Sequence, residues 1–234
     1  LVLCYDNKTN WRREYFPNYK YGRRKDRKAS KLDWGSIFDT LHLIKQELQD
    51  NFPYKVLEVE NAEADDIIAS VVSYVAQAPS HYEKVLIVSG DKDFIQLQKH
   101  SFVTQYSPTL KKFVNGIDPH AYIKEHILKG DRSDGVPNFL SPDNCFVDEM
   151  RQRPISKKKM ATWIDLEPED FCNEEMLRNY QRNRTLIDLE YAPDEINQAC
   201  VQAYLNSTVK NRSGLLNYFI KHRLKNHMEN IGDF

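Results

Sequence analysis

Apolar residues in the first half of the chain fall into short continuous runs separated by longer stretches with a helical period. Residues 1–5, 55–59 and 85–89 are such runs, each bounded by polar or glycine positions, and they predict buried strands. Between them Ile37, Phe38, Leu41, Ile44 and Leu48 recur at helical spacing. Ile67, Ile68, Val71, Val72 and Val75 form a second stripe, with Asn61 placed to cap its helix. A further helix is expected over 91–98, and 102–106 with 111–114 predict a hairpin or an edge pair. Strands alternating with helices predict an α/β class, a mostly parallel central sheet with flanking helices. From about residue 118 the pattern turns helical, punctuated by Pro119, Pro137, Pro142, Pro154, Pro168 and Pro193. Two regions are therefore expected, an α/β core over 1–117 and a helical region over 118–234 packed on it. The chain carries no internal repeat and no low-complexity tract.

Charge changes this picture because it is segregated. The net charge is only -1. Yet residues 12–31 hold nine basic side chains against Glu14 and Asp26, and 151–159 hold five with no acidic one. Taken alone, either block is equally well read as solvated surface. The first, over 11–31, is basic and aromatic without a clear apolar stripe, which predicts a mobile helical or looped segment. The four cysteines are far apart and lack any Cys-x-x-Cys spacing, so disulfides and zinc are not expected and a reducing cytoplasm is. No apolar run is long enough to span a membrane, and a signal peptide is not expected.

The candidate chemistry lies in the acidic residues. Asp6 closes the first strand; Glu63, Asp65 and Asp66 open a helix. Asp91 and Asp93 follow the strongest strand, and Asp131 and Asp134 stand in Gly-Asp-Arg-Ser-Asp-Gly. In a parallel sheet, functional groups gather at the carboxyl ends of the strands, where Asp6 and Asp91 sit. Each motif has an ordinary explanation, since carboxylates favour helix N-termini and polar turns. Four such motifs at the right ends of the right elements are poorly explained by turns alone. If they converge, each pair about 4 Å apart costs roughly 4 kcal/mol at an effective dielectric of 20. Hard divalent ions with oxygen ligands are the usual remedy, which points to metal-assisted chemistry on phosphate. Basic blocks beside an acidic cluster fit a nuclease, which must hold both phosphates and metals.

These residues, in order, resemble the 5′ nuclease family: flap endonucleases, the 5′ exonuclease domain of bacterial DNA polymerase and phage 5′ exonucleases, above all the T-even phage ribonuclease H branch. The matching pieces are Leu3-Cys-Tyr-Asp6, Trp11-Arg-Arg, Tyr19-Lys-Tyr-Gly-Arg23, Glu63-Ala-Asp-Asp66, Ser89-Gly-Asp-Lys-Asp-Phe94, Ile127-Leu-Lys-Gly-Asp-Arg-Ser-Asp134 and Arg153-Pro-Ile-Ser-Lys157. The resemblance implies a PIN-like core with an arch-like basic segment. It implies two magnesium ions, for which manganese substitutes. Asp6, Glu63, Asp65, Asp66 and Asp91 would surround the first, and Asp93, Asp131 and Asp134 the second, with Asp91 between them. Such ions polarise the phosphodiester and activate water for in-line attack. Lys20 resembles the family's catalytic lysine and Arg23 the arginine beside it, while Tyr19 resembles an aromatic that stacks on a base. Arg12 and Arg24 are further expected DNA contacts. Arg153, Ser156, Lys157 and Lys158 occupy the place of a helix-hairpin-helix unit that grips duplex phosphates, although Pro154-Ile-Ser156 replaces the common Gly-Ile-Gly.

The implied partners are branched or flapped DNA and RNA–DNA hybrids, with a single-strand-binding protein and a sliding clamp as family-level expectations. A monomer acting in the cytoplasm of a phage-infected bacterium is expected. The family's first strand and its aspartate have no counterpart here, so the sheet is expected to lack a strand and the first metal a ligand. Two functions follow: a magnesium-dependent, structure-specific 5′ nuclease that removes RNA primers and flaps, or a truncated form that binds branched DNA and cuts poorly. A haloacid-dehalogenase-like phosphatase is disfavoured, because Asp91-Lys-Asp-Phe-Ile comes late and lacks the required Thr or Val. A toxin-type ribonuclease of related topology is a shorter chain without the hairpin region.

Overall fold

A computed structural model describes residues 1–77 and 84–234. Five strands and eleven α-helices follow one another: β1 Val2–Tyr5, α1 Trp11–Tyr15, α2 Tyr21–Ala29, α3 Trp34–Asn51, β2 Lys55–Glu58, α4 Ala64–Gln77, β3 Val85–Val88, β4 Val103–Ser107, β5 Lys112–Val114, α5 Pro119–Lys129, α6 Lys157–Ile164, α7 Pro168–Phe171, α8 Glu174–Ile187, α9 Asp194–Asn206, α10 Leu215–Lys221 and α11 Lys225–Glu229. A 3-10 helix, Lys92–Lys99, stands between β3 and β4. The α/β class and the helical second half are as expected.

The single mostly parallel sheet is divided in two among the described residues. β1 pairs in parallel with β2, Val2 opposite Lys55 and Tyr5 opposite Glu58. β3 pairs in parallel with β4, which pairs antiparallel with β5, so the expected edge pair over 102–114 is present. No ladder joins β1 to β3. Alternation on β3 leaves Ile87 buried and Leu86 and Val88 exposed.

Several helices start and pack differently from the sequence reading. The segment 11–31 holds two short helices, with Asn10 capping the first through the backbone amide of Arg12. Asn61 does not cap α4. It adopts a left-handed backbone with φ 60°, and the cap function passes to two acidic side chains. Asp66 reaches back to accept the backbone N–H of Glu63 at 2.9 Å, and Asp6 accepts that of Ala64 at 2.8 Å. The stripe expected on α3 is only partly used. Phe38, Leu41 and Ile44 stay exposed, and Leu48 packs with Phe52, Leu215 and Phe219. By contrast, the α4 face formed by Ala69 and Val72 joins Ile87, Phe94, Leu97, Val103 and Leu189 in a core. That core fixes the ends of β3 and α4 side by side.

Candidate active site

The carboxyl end of β1, the start of α4, the carboxyl end of β3 and the turn after α5 meet at one polar cleft of about 170 Å³. Asp6, Asp65, Asp91, Asp93, Asp131 and Asp134 line it, with Lys20, Arg23 and Ser133. A wider cleft of about 1010 Å³ opens beside it and shares Asp91, Asp93 and Asp131.

Local backbone chemistry aims each acid. Asp91 caps the 3-10 helix by accepting the amide of Asp93 at 3.0 Å. Buried Gln105 on β4 donates to the carbonyls of Ser89 at 3.0 Å and Asp91 at 2.6 Å, which clamps the loop that carries both acids. Asp131 Oδ1 accepts the backbone amides of Ser133 at 2.7 Å and Asp134 at 3.2 Å, an Asx turn that presents Asp134. Glycine is needed next: Gly135 has φ +75°, and a Cβ there would stand 2.9 Å from the carbonyl oxygen of Asn18.

The acids divide into two kinds. Asp66 is fully buried and held by Arg12, Nη1 to Oδ2 at 2.9 Å and Nη2 to Oδ1 at 2.8 Å, with Trp11 Nε1 also donating at 3.2 Å. Glu63 is buried too, bonded to Arg12, to the hydroxyl of Tyr19 at 2.8 Å and to Lys20. Burial opposes its ionisation, but Lys20 and Arg12 win and hold its pKa below the ordinary value. The others differ in how far they are compensated. Burial, then Asp91, Glu63, Asp93 and Asp6, raises Asp65 to about 7. Burial raises Asp93 to about 6 despite His126, with Asp91 and Asp131 adding to the rise. Asp134 is raised by burial, which outweighs Lys20 and Arg23. Asp131 is lowered: burial resists, but His126 and Ser133 prevail.

Lys20, in a left-handed conformation with φ 53°, sends its backbone N–H to the carbonyl of Asp134 at 2.7 Å. Its ammonium lies between Glu63 and Asp134, 3.8 Å from the latter. Arg23 Nη2 meets Asp134 Oδ1 at 2.5 Å and is otherwise half exposed. Both cations therefore stand at the rim of the acidic cleft.

Three of the expected site residues are buried and already engaged. Arg12 is only 2% exposed and spends its guanidinium on Asp66, Glu63 and the carbonyl of Leu186, so it offers nothing to DNA. Tyr19 is 3% exposed, with its hydroxyl between Glu63 and Asp134, so no ring face is open to a base. Asp66 is fully buried, with both its oxygens accepting from Arg12. Arg24, Arg153, Lys157 and Lys158 are exposed, as DNA contacts require. Ser156 caps α6 through the amide of Lys159 at 3.2 Å. Residues 150–156 lead into that helix without regular secondary structure.

His126 and Gln105 were not identified from the sequence. A lone histidine and a lone glutamine carry no motif. The only signal was position, since α5 must bring its last turn against Asp131. Among the described residues no group of three or more His, Cys, Asp or Glu side chains is already drawn together to hold a metal ion. The donor set nonetheless fits a divalent cation, because several carboxylate oxygens converge on one cleft and burial and mutual repulsion raise Asp65 and Asp93.

The 5′-3′ exonuclease N-terminal resolvase-like domain family matches residues 1–127, and the T4 RNase H C-terminal family matches 118–234. The chain is 34% identical to the ribonuclease H of Enterobacteria phage T4 over 243 aligned positions, covering 100% of this chain and 79% of that protein. It is 31% identical to flap endonuclease Xni of Shewanella oneidensis over 146 positions, 59% of this chain and 51% of that one. Among solved structures, a T5 5′-exonuclease superposes with a TM-score of 0.58 at 18% identity, covering 87% of this chain and 83% of its own. A bacteriophage T5 flap endonuclease in complex with DNA and metal ions superposes with a TM-score of 0.51 at 20% identity, covering 86% and 76%. The chain thus belongs to the 5′-3′ exonuclease family, nucleases that hydrolyse phosphodiester bonds, with the C-terminal region of the T4 ribonuclease H type.

Proposed function

We propose that this chain is a magnesium-dependent, structure-specific 5′ nuclease that removes 5′ flaps and RNA primers from duplex DNA. The observation that carries this reading is the convergence of Asp6, Asp65, Asp91, Asp93, Asp131 and Asp134 on one cleft, which they line together with Lys20 and Arg23. Asp6, Asp65 and Asp91 would hold one ion, and Asp93, Asp131 and Asp134 a second, with Asp91 between. Such ions, when bound, supply Lewis acidity toward the phosphate and an activated water. Manganese substitutes for magnesium in this reading.

The chain's own residues bind and orient the substrate. Lys20 and Arg23, which pair with Glu63 and Asp134, would neutralise charge on the scissile phosphate. Glu63 holds Lys20, and Asp66, fixed by Arg12, holds the α4 terminus in place. Arg24 and the exposed face of α2 would guide the displaced strand, while Arg153, Lys157 and Lys158 would grip duplex phosphates without reading sequence. The bound DNA in the T5 neighbour supports a branched or flapped duplex as partner, with RNA–DNA hybrids as further substrates. No helix of the described residues is long and apolar enough to cross a membrane, and the site of action is proposed as the infected cell's cytoplasm.

A 5′-labelled flap duplex incubated with the protein tests the reading. Release of short labelled product with magnesium, abolished by excess chelator, is expected. Tight flap binding with no product at any magnesium concentration would mean a DNA-binding protein instead.

A further inference from the structure

His126 stands in the last turn of α5, edge-on to Tyr122 with ring centroids 5.7 Å apart. Its ring spans two acids of the cleft. Nδ1 lies 3.4 Å from Asp93 Oδ1, and Nε2 lies 3.4 Å from Asp131 Oδ2. Nδ1 is buried and has no hydrogen-bond partner. A neutral imidazole owns one N–H and one lone pair, while ionised carboxylates only accept. In that neutral form one nitrogen can satisfy one acid and the other faces a carboxylate lone pair to lone pair, whereas an imidazolium donates to both. A cation between them removes that conflict.

Asp131 is the acid better placed for the N–H. It is anchored by Ser133 and by the amide of Asp134, so its second oxygen can orient the ring. Nδ1 then points its lone pair toward Asp93, on the side of the wide cleft lined by His126, Asp91, Asp93 and Asp131. Carboxylate, imidazole and metal in that order is how a histidine ligand is commonly held, the carboxylate fixing tautomer and ring orientation.

We propose that His126, through Nδ1, is a nitrogen ligand to the cation bound by Asp93, and that it biases this position toward first-row transition ions over magnesium. The inference rests on the metal-dependent reading of the cleft. Its chemical basis is that imidazole suits transition ions, whereas magnesium prefers all-oxygen sites.

The test uses Mn2+ itself as the probe, titrated into the purified full chain. Pulsed electron paramagnetic resonance should show 14N modulation from a bound imidazole, replaced by the 15N pattern in protein made with 15N-histidine. His126→Gln should lose the modulation while still binding Mn2+, and competition between the ions should show its Mn2+ preference over Mg2+ reduced about tenfold. Asp93→Asn, a second and independent variant, should weaken the same signal. Mn2+ bound to the wild-type chain without nitrogen modulation overturns the inference and leaves the metal-dependent reading intact. Persistence of the modulation in a folded His126→Gln protein overturns it equally. Failure to bind Mn2+ at all overturns both.

Discussion

The guanidinium of Arg12 and the carboxylate of Asp66 face one another through two parallel hydrogen bonds of 2.9 and 2.8 Å, both side chains almost wholly removed from water. Arg12 also donates from Nε to the carbonyl of Leu186 at 2.9 Å. One residue thus pins the basic N-terminal segment to α4 and to the end of α8. Burial without a partner would be costly for either charge.

Removal of one partner is therefore a stability lesion. Arg12→Ala should lower unfolding free energy by about 3–5 kcal/mol, because Asp66 is left buried and uncompensated. Joint replacement by Arg12→Met and Asp66→Leu should recover most of that loss. Urea unfolding measures both. Arg12→Ala, assayed where it remains folded, should bind a flap duplex like the parent chain, since Arg12 is not exposed.

Gly135 controls where Lys20 sits. A Cβ at Gly135 would press on the carbonyl of Asn18 at 2.9 Å and approach the amide of Lys20 at 3.5 Å, so Gly135→Ala displaces the turn bearing Lys20, the proposed catalytic lysine. Misplacement by about 1 Å costs on the order of 10²-fold in rate. The expected result is a loss of that order in single-turnover cleavage with flap affinity nearly unchanged. Equal losses in binding and cleavage would refute the positioning role.

The acidic cleft predicts an unusual pH dependence for the cation-free protein. Asp65 is raised from 3.8 to about 7. A carboxyl with a raised folded pKa contributes stability that is fully present below its unfolded value and lost as pH rises through the folded one. The difference in melting temperature between the parent chain and Asp65→Asn, in chelator, should therefore shift against the parent from pH 3.8 to about 7. Magnesium should flatten the difference, since it binds the ionised form. A flat difference in chelator would contradict the arrangement.

Exposed Arg153, Lys157 and Lys158 lie on the proposed duplex-gripping surface. Lys157→Ala should weaken duplex binding across sequences and reduce the salt slope of log K by about one. Fluorescence anisotropy over a salt series measures it. An unchanged slope would remove Lys157 from the interface.

Much of this was legible in the chain. The carboxyl ends of residues 1–5 and 85–89 announce Asp6 and Asp91, and the helix that starts at Ala64 was visible from its apolar stripe. What the sequence does not separate is an acid facing solvent from its neighbour facing the core. Asp65 and Asp66 are adjacent and identical in type, yet one lines the cleft and the other is sealed by Arg12. Arg12 and Tyr19 likewise looked like exposed parts of a basic segment, because burial of a charge depends on a partner 54 residues away. His126 was invisible for the same reason. Its meaning comes from Asp93 and Asp131 lying on either side of its ring.

Single-turnover cleavage of a 5′-flap duplex by the parent chain and by Asp93→Asn, with binding of the same duplex measured in Ca2+, tests the central claim most directly. Magnesium-dependent cleavage by the parent chain is expected, together with a loss of at least about 10²-fold in Asp93→Asn at nearly unchanged flap affinity. Equal cleavage by the two proteins, or cleavage that persists in excess chelator, would contradict the account.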